Sequence, residues 1–214
     1  MSLPEQYRYR GGASDGQYNA PVTNEHKELI VAGGLPNYTE LVRRGKVWRV
    51  KIGTATAPIA AVPTTTARLE IFNPVSASDS IVVLGLYAFQ LLSTAATQTY
   101  SIWGQVTGIK AAPTAAALVI ASANGSDPIT GATGSFVVPA VDTTVVDTSW
   151  MPFGNVQTWG TAAALPGNAW YAPVDGALIA PPGHSVCVAA AGSIATASSF
   201  IIGALFAYVN ITNE

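Results

Sequence analysis

No stretch of this chain repeats apolar residues at the three- and four-residue spacing of an amphipathic helix with capping signals at its ends. Apolar residues come instead in short runs, several alternating with polar ones and most ended by Gly, Pro, Asn or Ser. Residues 46–52 show the pattern, with Trp48, Val50 and Ile52 on one side of an extended chain and Val47, Arg49 and Lys51 on the other. Comparable runs lie at 28–32, 68–72, 80–92, 98–106, 118–121, 135–139, 143–146, 177–180, 185–190 and 199–210. About ten short strands within 214 residues imply an all-β fold, an antiparallel β-sandwich, with the jelly roll as its eight-stranded form. Residues 54–66 read as a loop, 111–117 as one turn or a short helix, and 1–27 as an extended N-terminal arm.

A sandwich strand normally alternates between core and solvent. Ile81-Val82-Val83-Leu84, Phe200-Ile201-Ile202 and Leu205-Phe206-Ala207-Tyr208 are apolar on both faces. Such strands need a second cover, from the chain's own long loops or from a neighbouring subunit. Because large apolar patches seldom stay exposed on monomers, the expectation is a closed homo-oligomer, a trimer.

Charge is scarce and unevenly placed. Charged residues are 10% of the chain, against about 25% in a typical soluble protein. Residues 1–51 hold thirteen of the twenty-two charges and carry +3, while 52–214 carries −5, for a net −2. No Lys or Arg follows Lys110. The chain divides on this basis into residues 1–51, an arm with the first strands and a candidate docking element, and a 52–214 sandwich. With 49% hydrophobic residues it is too apolar to be disordered, and its balance is not that of a general nucleic-acid binder.

A lone cysteine, Cys187, excludes an internal disulfide framework and suits synthesis in a reducing cytoplasm. The polar first residues lack the apolar core of a signal peptide. Residues 186–209 carry no charge and are long enough to span a membrane, but Gly192-Ser193 and Ser198-Ser199 interrupt them. They read as two buried strands joined by a turn at 191–197, with no membrane partner.

The local motifs of catalysis lack their contexts. Gly12-Ala13-Ser14-Asp15-Gly16 matches G-x-S-x-G but has neither the apolar strand before it nor the helix after it. His184 and Cys187 lie three apart, on opposite faces of a strand, and no second cluster completes a metal site, His26 being the other histidine. Asp142 and Asp147 are likewise on opposite faces. Asp127-Pro128 is a turn, and the sequons at Asn37, Asn124 and Asn210 matter only in a secreted eukaryotic chain. The reading is a non-catalytic protein without cofactor, metal or nucleic acid.

Two groups remain as candidates. Arg8, Arg10, Arg43, Arg44 and Lys46 suit docking onto an acidic protein surface, while the alternation assigns Arg49 and Lys51 to a solvated strand face. The 150–175 segment concentrates Trp150, Phe153, Trp159, Trp170 and Tyr171 on what reads as a long loop. These aromatics would fill a core or a subunit interface, or stack on a sugar with Asn155, Gln157, Asn168 and Asp175 nearby.

Residues 67–78, running Ala67-Arg68-Leu69-Glu70-Ile71-Phe72-Asn73-Pro74-Val75-Ser76-Ala77-Ser78, read as a strand, an Asn-Pro step and a small-residue turn. A long apolar strand follows, then Leu178-Ile179-Ala180-Pro181-Pro182-Gly183-His184-Ser185-Val186 and a final apolar strand. This succession, over roughly 65–210, resembles jelly-roll virion proteins of tailed bacteriophages. The resemblance implies a capsid cement or decoration protein, or part of a head or tail fibre, commonly trimeric and docked by an N-terminal arm on the major capsid protein. It would be made in the host cytoplasm and end in the virion. The alternative is a receptor-binding fibre module that recognises a host glycan.

Overall fold

The computed structural model describes residues 38–92, 98–125, 129–130, 137–145, 147–158, 169–192 and 198–211. The chain divides into a unit Met1–Thr39 and a unit Glu40–Glu214, and the second carries the fold. The expected strand at 28–32, the arm at 1–27, the G-x-S-x-G match and His26 lie outside the described residues, as does most of the expected 191–197 turn.

A short helix α1 (Thr39–Arg43) precedes the strands β1 (Val47–Lys51), β2 (Thr66–Phe72), β3 (Ser80–Leu92), β4 (Gln98–Val106), β5 (Val119–Ser122) and β6 (Ile129–Thr130). After them come β7 (Val138–Thr144), β8 (Met151–Thr158), β9 (Ala169–Pro173), β10 (Ile179–Ala180), β11 (Ser185–Gly192) and β12 (Ser199–Val209). They form two antiparallel sheets packed as a β-sandwich. One runs β3-β12-β1-β5-β6, with β9 and β10 both paired along the free edge of β3. The other runs β7-β2-β11-β4-β8.

Three expectations are corrected. The 150–175 segment is not one long loop, since β8 and β9 lie within it, each on a sheet edge. The runs expected at 135–139 and 143–146 each contribute to one strand, β7, through residues 138–139 and 143–144. Residues 111–117 contain no helical turn; Ala116 instead bonds its N–H to the Pro139 carbonyl at 2.8 Å. Strand β1, grouped by charge with the arm, is a central strand of the larger sheet, because Val50 and Ile52 belong to its core face.

The core lies between the sheets. Leu69, Ile71, Tyr100, Ile102, Val186 and Val188 from one meet Ile81, Val83, Leu86, Val50, Phe200, Ile202 and Phe206 from the other. A bulge at Leu84, where Val83 pairs with Phe206 but Gly85 with Leu205, switches the inward set of β3 from Ile81 and Val83 to Leu86 and Ala88. The carbonyl freed there accepts bonds from the Val174 and Asp175 N–H groups at 2.9 and 3.1 Å. At the β10–β11 turn Gly183 has φ +83°, a left-handed conformation that a side chain would strain.

Strand β11 of the smaller sheet finds a second cover within the chain. It is buried on both faces. Its outward Cys187 and Ala189 pack with Ala67, Val145 and Trp150, and with the half-buried Ile59 and Trp103. The 56–65 segment straps this face. Ile59 bridges to Ala191, the Thr64 carbonyl accepts the Trp150 indole N–H at 3.0 Å, and the Thr65 carbonyl accepts the Val145 N–H at 2.8 Å.

Candidate functional site

The residues singled out by sequence are dispersed. Arg8, Arg10 and Trp159 lie outside the described residues. Arg43 and Arg44 both hydrogen-bond Glu40, at 2.7 and 2.6 Å. These bonds hold the Glu40 carboxyl at about 2, below the usual carboxylate range, with the two guanidinium charges adding to the effect. Lys46 lies 3.7 Å from Asp79. The predicted docking cations among the described residues are therefore each matched to a carboxylate.

The aromatics take separate tasks. Trp150 seals the outer face of the five-stranded sheet. Phe153 sits at a bulge in β8, where Ile102 pairs with Gly154 but Trp103 with Pro152, and it packs on the main core. Trp170 meets the core residue Phe200 edge-on, with centroids 5.6 Å apart and an interplanar angle of 83°. Tyr171 alone of the described four points to the outer face of the larger sheet, and it is 51% exposed. They form no joint sugar-stacking platform.

On the outer face of the five-stranded sheet, Glu70, Cys187 and Gln105 sit in one row across β2, β11 and β4, all buried. The Ser185 hydroxyl donates to Glu70 Oε1 at 2.6 Å, and Lys110 Nζ lies 2.8 Å from the same oxygen. Gln105 donates to the Asp147 carbonyl at 3.0 Å, and the Gly108 N–H to the Asp147 carboxylate. Burial pushes the Cys187 thiol far up, and the Glu70 charge adds to the rise. A protonated, enclosed thiol is a packing group rather than a nucleophile. His184 bonds the Pro182 carbonyl at 3.1 Å through Nδ1, and Asp142 pairs with Arg68 at 2.8 Å. No cluster of three metal-ligating side chains occurs among the described residues. No helix among them is long and apolar enough to cross a membrane.

Among the described residues the other outer face is open. A groove of about 590 Å³ runs over it, with Arg49 and Lys51 from β1, Leu205 from β12, Tyr87 from β3, Tyr171 from β9 and Val119 from β5. Local sequence places them there, because each is out of phase with the core-facing residues of its own strand. The Tyr87 hydroxyl donates to the Val50 carbonyl at 3.1 Å, two strands away, so its side chain must lie down along the sheet. It crosses Gly203, where a Cβ would come within 2.3 Å of the ring. Tyr171 repeats the device over Gly85 and donates to the Leu84 carbonyl at 3.3 Å. Both phenols are shifted upward, chiefly by burial, with Arg49 opposing the shift at Tyr87 and Asp175 adding to it at Tyr171.

Sequence reading missed Tyr87, which lies inside the apolar 80–92 run, and it assigned Arg49 and Lys51 to plain solvation. The available signal was the pair of glycines, Gly85 and Gly203, in otherwise bulky strands, which marks a close approach by a neighbour. No protein-family model and no curated protein matches the sequence.

Proposed function

We propose that this chain is a non-catalytic structural subunit of a tailed-bacteriophage virion, a jelly-roll protein that sits on the capsid as a homotrimer and stabilises the shell. The observation that carries the reading is an exposed apolar end of the sandwich. Val75 and Ile109 are 70% and 79% exposed, and both reach Gly183 at the turn between β10 and β11. Exposed apolar side chains gathered at one end suit burial against a neighbouring subunit. Docking on the major capsid protein falls to the polar arm at residues 1–27, with Arg8 and Arg10 making contacts to acidic groups of the shell.

The test separates the two parts. Deleting residues 1–27 abolishes co-sedimentation with shells that lack this protein and leaves the trimer intact by light scattering. A Val75→Asp, Ile109→Asp double variant becomes monomeric with an unchanged circular dichroism spectrum. Full shell binding by the truncated chain, or a wild-type chain that is monomeric at working concentrations, overturns the reading.

A further inference from the structure

We propose that the groove on the outer face of the seven-stranded sheet binds a carboxylated pyranose, such as the uronic acid units of an acidic polysaccharide. This inference concerns the body of the protein and stands apart from where the protein is mounted.

The first support is charge left over. Among the described residues, Arg43, Arg44, Lys46, Arg68 and Lys110 each have a carboxylate partner. Arg49 and Lys51 have none, and both are exposed. They are two residues apart on one strand, so their side chains rise from the same face about 7 Å apart. Side chains of this length, rising from one face at that spacing, can both reach the polar groups of a single sugar ring.

The second support is the floor. Tyr87 and Tyr171 lie along the sheet because glycines beneath them leave room, and their hydroxyl protons are engaged by backbone carbonyls. The rings are thus held in place, with surface turned outward over the groove. Aromatic surface of this kind packs against the C–H face of a sugar ring. Leu205 and Val119 add to the apolar floor.

The third support is what lines the groove. It contains no Asp, Glu, Asn or Gln. Neutral sugars are oriented by acceptors for their hydroxyl protons, and this groove offers chiefly cationic donors. The ligand must therefore bring the acceptors, as a carboxylate does. A nucleic acid would need a longer run of free cations than two. A peptide strand would need an open sheet edge, whereas the groove lies on a sheet face.

Isothermal titration of the full chain with trigalacturonate, the matching neutral trisaccharide and an oligothymidylate tests the proposal. Trigalacturonate binds, the other two do not, and affinity falls with added salt. Arg49→Ala and Lys51→Ala each weaken binding by about tenfold or more. Tyr171→Ala abolishes it while Tyr171→Phe retains it, since the hydroxyl serves Leu84 rather than the ligand. Unfolding curves of the variants separate lost binding from lost fold. Equal binding of the neutral sugar, tighter binding of the oligothymidylate, no binding of trigalacturonate by the wild-type chain, or unchanged binding by the Arg49→Ala, Lys51→Ala double variant overturns it.

Discussion

The two outer faces of the sandwich start from similar strands and end differently. On the five-stranded sheet the 56–65 strap, Lys110 and Trp150 close over the row of Glu70, Cys187 and Gln105. Glu70 Oε1 and the Gln105 amide N–H group are engaged there, while Glu70 Oε2 and Gln105 Oε1 are buried with no hydrogen-bond partner among the described residues. On the seven-stranded sheet no such closure lies over Tyr87, Tyr171 and Leu205, and Arg49 and Lys51 remain without carboxylates among the described residues. The sealed face serves stability, because its polar groups cannot return to water without unfolding. The open face has side chains held in place with contacts to spare, which is the condition for recognition.

Substitution on the two faces tests that contrast. The largest effect is expected from Glu70→Ala, which leaves the Ser185 hydroxyl and Lys110 without their shared acceptor. Removing one partner of a buried pair costs about 3 kcal/mol, at the lower end because Lys110 can turn to water. A urea-unfolding midpoint shifted by less than a third of that amount breaks the idea that this face is structural.

The next effect is set by pH. The Cys187 thiol ionises far above its ordinary value of 9.0 in the folded chain, because of burial and the Glu70 charge, and near that value when unfolded. Above pH 9 the unfolded chain therefore holds fewer protons than the folded one, and stability falls as pH rises. At pH 10 the loss is about 1.4 kcal/mol relative to pH 8. Cys187→Ala removes that part of the slope, and a slope unaltered by the substitution contradicts the enclosure of the thiol. The smallest effect belongs to Lys51→Ala on the open face, within about 0.5 kcal/mol of wild type. A larger cost would show that Lys51 holds the sheet together, and would sharpen the contrast in the wrong direction for a binding role.

Much of the architecture was legible. The limits of β3 and β4 follow from their apolar runs, and β12 ends one residue before its run does. Strand β8, reading Met-Pro-Phe-Gly-Asn-Val-Gln-Thr, was not legible, because Pro152 and Gly154 speak against a strand and only pairing with β4 overrides them. The site was less legible still. Arg49 and Lys51 were correctly placed on a face, but whether a carboxylate waits opposite is a matter of distant residues. Lys110 finds Glu70 forty positions away, and Arg49 finds none among the described residues.

By itself the sequence determined the class of the fold, since local alternation and turn residues act over a few positions and exclude helices. It also determined which side chains of most strands leave the core. The tertiary structure decided what those outward side chains meet. The pairing of β3 with β12 and β9 puts glycine beside tyrosine, and the path of the 56–65 strap covers one face rather than the other. These outcomes depend on contacts between residues far apart in the chain, and no local pattern encodes such distances.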